Sequence, residues 1–194
     1  MVALGLCIWR FMKRPSEIDR HAPAVASLKE LCLARLQYSR NDARKAGQRL
    51  ASQHPSGLEV ARYMEVLFDS LSMIETTNNP DTLKSRRAVA LEMLTSAGTR
   101  APELMDAGHA ETLRGVIIEA ASARLKTLAM IRLEQLLTRS ATAKTEKTQI
   151  KYREAAQAYA IEMGTQPELS GADRAELLTR ASVHASAAVP APMR

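Results

Sequence analysis

The spacing of apolar residues predicts amphipathic helices along most of the chain. Between residues 22 and 39, apolar side chains recur every three or four positions and mark one face of a helix. Residues 58–75 repeat this spacing. No stretch of four or more residues shows the β-branched, alternating pattern of a half-buried strand, so the chain is predicted to be all-α. The apolar positions of the helix predicted over residues 22–39 are Val25, Leu28, Leu31, Cys32 and Leu36.

Capping and turn residues predict where the helices begin and end. Asn41 and Asp42 are predicted to cap a short helix that ends near residue 52. Asn79 and Pro80 predict the start of a helix that runs to residue 97, with Gly98 just beyond its end. The other helices are predicted over residues 111–139, 148–163 and 171–185, with a polar connector at 140–147.

These elements define a compact multi-helix bundle of about seven helices, and the same elements are compatible with stacked helical hairpins. The length suits one helical domain over residues 1–185. The tail at 186–194 contains two prolines and is predicted to be disordered.

The first 14 residues are a separate feature, because an apolar strip is followed at once by basic residues. The strip carries the large side chains Leu4, Leu6, Ile8 and Trp9. It is too short for a membrane-spanning helix, which needs roughly 20 apolar residues, and it lacks the features of a secretory signal. Three interpretations stay open: a buried first helix, a strip that docks on a partner subunit, or a membrane-proximal segment. A cytoplasmic location is expected.

Charge is distributed unevenly along the 194 residues, whose formal net charge is +6. Residues 1–50 hold 10 Lys and Arg against 4 Asp and Glu, so the whole excess lies in the first quarter of the chain. In the predicted helix at 42–52, long cations face away from small apolar residues. Such a face can approach a polyanion and release the counterions of its phosphates. The candidate nucleic-acid-binding residues are therefore Arg35, Arg40, Arg44, Lys45, Gln48 and Arg49.

Two other interpretations of this basic face remain open. A basic helical face is commonly a solvated surface, and it can also dock on an acidic protein. Aromatic residues make up only 4% of the chain, which argues against stacking on bases. Any contact with nucleic acid is therefore expected to follow backbone and shape and not base sequence.

Local motifs of catalysis and metal binding do not occur in the sequence. The glycines are isolated, so there is no Gly-rich phosphate loop, and neither Gly-x-Ser-x-Gly nor His-Glu-x-x-His occurs. The four histidines lie far apart, and two cysteines provide neither a disulfide scaffold nor a cysteine-based zinc site. The expectation is a protein without catalytic residues, metal or cofactor.

Two hypotheses about function follow from the sequence. The first is a non-catalytic accessory subunit of a larger assembly that contacts nucleic-acid backbone through an N-terminal basic surface. The second is a protein–protein interaction adaptor, in which a groove between helical hairpins or the apolar strip receives a partner subunit. The adaptor also has a membrane-proximal form, anchored through the strip. The sequence indicates no small-molecule substrate and does not distinguish RNA from DNA.

Overall fold

The computed structural model describes residues 21–186, and these residues form seven helices with no strand among them. Helices account for 85% of this range, so the all-α prediction is confirmed. The helices are α1 (Ala22–Leu36), α2 (Arg40–Gln53), α3 (Gly57–Thr76), α4 (Pro80–Arg100), α5 (Ala107–Thr142), α6 (Glu146–Gly164) and α7 (Gly171–Ser186).

The chain divides into two compact units, with the boundary inside α5 between Ala121 and Ser122. The first unit contains α1 to α4 and the first part of α5. The second contains the remainder of α5 together with α6 and α7. That residues 1–185 form a single domain stays a prediction.

In the first unit, helices that follow one another in sequence pack side by side. Helix α1 packs against α2, α3 packs against α4, and both α1 and α2 contact α3. The junction between α2 and α3 depends on a glycine, because a Cβ at Gly57 would lie only 2.1 Å from the carbonyl oxygen of Leu50. The Leu50 side chain is fully buried at this junction. These contacts make a pair of helical hairpins joined through α2 and α3.

Side-chain caps fix two of the helix starts. The Asn79 side chain accepts hydrogen bonds from the backbone N–H groups of Asp81 and Thr82, which confirms the predicted start of α4 at Pro80. Thr145 caps α6 in the same way by accepting from the N–H of Thr148. Such caps satisfy backbone donors that a helix leaves unpaired in its first turn.

Other helix ends differ from the predictions. Gly98 lies inside α4, which continues to Arg100, because the Ala101 N–H bonds to the Ala97 carbonyl across the glycine and both alanines are buried. Helix α2 begins at Arg40, so Ser39 and not Asn41 or Asp42 stands at its N-cap. The predicted connector at 140–147 is helical at both ends, and only residues 143–145 separate α5 from α6.

The second unit is formed by α6 and α7, which pack against each other, together with the C-terminal part of α5. Ala156, Ala160 and Met163 of α6 and Leu177 of α7 are buried. Ile131, which the sequence pattern places with the apolar face of α5, is 45% exposed. Over the length of α5 the buried stripe drifts around the helix, because buried positions recur mostly every four residues and not every 3.6.

Two predictions fall on residues that the structure does not describe. The apolar strip with Leu4, Leu6, Ile8 and Trp9 lies outside residues 21–186, as does the tail beyond Ser186. Within residues 21–186, no helix is both long enough and apolar enough to cross a bilayer.

Candidate nucleic-acid interface

Helix α2 separates small apolar residues from long polar ones. Ala43, Ala46 and Leu50 are at most 2% exposed and face the core of the first unit. Gly47 lies against α3, where an added Cβ would meet the Cβ of Ala61 at 3.7 Å. With these small residues turned inward, the long polar side chains of α2 point to solvent.

Four of these outward side chains have no partner in the described part of the chain. Arg40, Arg44, Lys45 and Gln48 are exposed, and none forms a hydrogen bond or ion pair within residues 21–186. We refer to these four residues as the α2 basic face. Because a helix rises about 1.5 Å per residue, residues spaced by four, such as Arg40 and Arg44, lie about 6 Å apart along the axis. The face therefore presents a row of unneutralised charge to solvent.

Arg49 lies at the edge of this face and differs from it, because its guanidinium forms an ion pair with Glu30 of α1. The side chains of Arg49 and Glu30 are 49% and 60% exposed. An ion pair with this exposure contributes about 0–1 kcal/mol to stability. Arg49 is therefore neutralised but weakly held.

Arg35 does not belong to the open basic surface. Its guanidinium binds two carboxylates of α3, Glu65 at 2.7 Å and Asp69 at 3.7 Å. The side chain is 22% exposed, and its Nε atom is buried. The structure therefore places Arg35 as a brace between α1 and α3, although the sequence groups it with the cations of α2.

A charged groove runs between α1 and α2, with a volume of about 350 Å³. It brings Lys29 of α1 close to the cations of α2, and Lys29 has no partner among residues 21–186. Sequence reasoning missed Lys29, because only the packing of α1 against α2 places it beside Lys45 and Arg49. The groove is lined chiefly by Lys29, Glu30, Leu33, Asp42, Lys45 and Arg49.

The turn between α1 and α2 fixes where the basic face begins. Tyr38 has a positive φ of 57°, which is uncommon for a residue other than glycine. Its hydroxyl donates a hydrogen bond of 2.8 Å to Glu75, and this bond raises the pKa of Tyr38. The Ser39 hydroxyl then donates to Asp42 at 2.6 Å within the first turn of α2. These contacts hold the first turn of α2 in place and leave Asp42 engaged in a local hydrogen bond.

Cys32 and His54 of the first unit have structural environments. Burial raises the pKa of the Cys32 thiol to about 12, which disfavours the reactive thiolate. In His54, Nδ1 accepts a hydrogen bond from the N–H of Ser56, while Nε2 lies 2.7 Å from Glu103. His54 thus links the α2–α3 loop to the segment after α4. Within residues 21–186, no group of three or more His, Cys, Asp or Glu is arranged to hold a metal ion.

Comparison of the chain with models of protein families, with curated proteins and with solved structures found no match. The protein is an all-α protein whose α2 carries a basic face without partners among residues 21–186.

Proposed function

We propose that this protein is a non-catalytic accessory subunit of a larger cytoplasmic assembly and contacts nucleic-acid backbone through the α2 basic face. One observation carries the proposal: Arg40, Arg44 and Lys45 are exposed on one helix and have no partner within residues 21–186. Cations without local partners are available to phosphates, and each phosphate they neutralise releases condensed counterions.

Charge and side-chain type both favour contact with backbone and not with bases. Helix α2 holds four Arg and Lys against one Asp, so its own charge is +3. Its face has no aromatic side chain on which a base could stack. Gln48 can donate to a phosphate oxygen through its amide group. A surface of this kind is expected to bind single-stranded and double-stranded nucleic acid with little sequence preference.

The direct test is fluorescence anisotropy with labelled oligonucleotides over a series of salt concentrations. If Arg40, Arg44 and Lys45 each meet one phosphate of a duplex, log affinity falls against log salt with a slope of about −2.7. Between about 50 and 200 mM salt this corresponds to a loss of roughly 40-fold in affinity. The triple variant R40Q/R44Q/K45Q is expected to bring the slope close to zero.

A matched control distinguishes the α2 basic face from net charge. The variant K144Q/K147Q/K151Q removes the same number of positive charges, but from exposed lysines outside α2 that have no partner within residues 21–186. It is expected to keep the wild-type slope. Equal loss of binding in both triple variants would mean that net charge alone drives association. Failure of the wild type to bind at the lowest salt would leave α2 as a solvated or protein-docking face.

A further inference from the structure

We infer that the groove between α1 and α2 is a further phosphate site of the nucleic-acid interface. Glu30 forms an ion pair with Arg49 in this groove and thereby excludes the phosphate. The inference rests on the proposed function, because it assigns a regulating residue to the same surface. It is drawn from the arrangement of charges at the groove, which shares Lys45 with the α2 basic face and adds Lys29 and Arg49 to it.

The groove has the charges that a phosphate site needs. Lys29 and Lys45 line it, and neither has a partner within residues 21–186. Arg49 is the third cation, and its planar guanidinium is suited to bidentate binding of a phosphate. Three cations of two helices thus surround one groove of about 350 Å³.

Glu30 is the residue that neutralises this site. Its carboxylate pairs with the Arg49 guanidinium and lines the same groove, so it holds the place that a phosphate oxygen would take. Asp42, the other acid of the groove, accepts a hydrogen bond from Ser39 inside the first turn of α2. Asp42 therefore has a local role at the start of the helix, whereas Glu30 faces the cation itself.

Glu30 and a phosphate compete for Arg49, and the exposure of the Arg49–Glu30 pair makes this competition reversible. Arg49 and Glu30 are 49% and 60% exposed, so water and salt screen their attraction. Arg35 provides the contrast, since its side chain is 22% exposed and binds two carboxylates of α3. An anion can therefore displace Glu30 from Arg49, whereas Arg35 stays bound to its two carboxylates.

The test is the salt dependence of duplex binding by the variant E30Q. Neutralising Glu30 frees Arg49 for one more phosphate, so the slope becomes steeper by about 0.9. Between about 50 and 200 mM salt, E30Q then loses roughly 3.5-fold more affinity than the wild type. In the R49Q background the same substitution is expected to add nothing, because the arginine through which Glu30 acts is gone.

The control is E134Q, which removes one carboxylate from an ion pair of nearly the same exposure. Glu134 and its partner Arg180 are 61% and 46% exposed, and Arg180 keeps a second partner, Glu176, so E134Q removes one negative charge without freeing a cation. E134Q is expected to leave the slope unchanged, and circular dichroism checks that each variant is folded. A slope for E30Q equal to that of the wild type would overturn the inference and leave the proposed function standing. A steeper slope for E30Q in the R49Q background would also overturn it, and loss of binding by the wild type and E30Q alike would overturn both.

Discussion

The partner of each cation decides what that cation can do. Arg44 has no partner within residues 21–186, Arg49 has an exposed one, and Arg35 has two carboxylates and a buried Nε. The sequence shows that all three are long cations near one another in the chain, but it does not show which carboxylates face them. A residue on another helix, such as Glu65, enters the environment of Arg35 only through tertiary packing.

The role of Arg35 as a brace leads to a prediction that separates it from the α2 basic face. R35Q is expected to lower the free energy of unfolding by about 1–2 kcal/mol, because Glu65 loses a charged hydrogen bond and the stem loses packing. Urea denaturation measures this change. The same variant is expected to keep the wild-type salt slope for oligonucleotide binding. A reduced slope with unchanged stability would place Arg35 in the interface after all.

Substitution by alanine is expected to change the free energy of unfolding in opposite directions at two glycines, Gly98 and Gly57. A Cβ at Gly98 meets nothing within 4 Å, and the residue lies inside α4, so G98A should raise the free energy of unfolding by about 0.5–1 kcal/mol. A Cβ at Gly57 would lie 2.1 Å from a backbone oxygen, so G57A should lower it by about 1–3 kcal/mol. Thermal or urea unfolding of both variants checks the pair, and a loss of stability in G98A would contradict the helical assignment of Gly98.

At the scale of helices, local signals predicted the start of α4 correctly and its end wrongly. Asn79 and Pro80 act within one turn, so their effect on α4 is visible in the sequence. Gly98 was expected to end the same helix, but a glycine ends a helix only when the chain turns away there. Burial of Ala97 and Ala101 keeps the chain helical through Gly98, and that burial is a tertiary effect. The amphipathic face of α2 was predicted correctly because Ala43, Ala46 and Leu50 repeat at helical spacing.

An ion-pair network between α5 and α7 predicts how the second unit responds to acid. Lys126 lies 2.7 Å from Asp173 and 2.9 Å from Glu176, and its hydrogen bonds hold the pKa of both carboxyls below their ordinary values. A carboxyl with a lowered pKa in the folded state adds stability above its unfolded pKa and loses it as the pH falls. Between about pH 6 and about pH 3, the free energy of unfolding should therefore fall more steeply in the wild type than in K126M. Parallel pH profiles would show that the network contributes nothing to stability.

At the scale of the whole molecule, the sequence shows the uneven distribution of charge along the chain, but it does not show where the cations lie in the fold. The excess of cations in residues 1–50 is a count, and the structure places part of it on the outward side of α2. The groove between α1 and α2 has no sequence signature, because Lys29 and Arg49 are 20 residues apart and meet only when the hairpin forms. The site is thus divided between a face that periodicity predicts and a groove that packing creates.

Binding of nucleic-acid backbone by the α2 basic face is best tested through the salt dependence of the wild-type affinity for a short duplex. We expect binding at low salt that weakens linearly in log affinity against log salt, with a slope of about −2.7. For a single strand of the same length we expect a slope of about −2.1. Affinity that does not change with salt, or no binding at low salt to either oligonucleotide, would show that the α2 basic face does not bind nucleic-acid backbone.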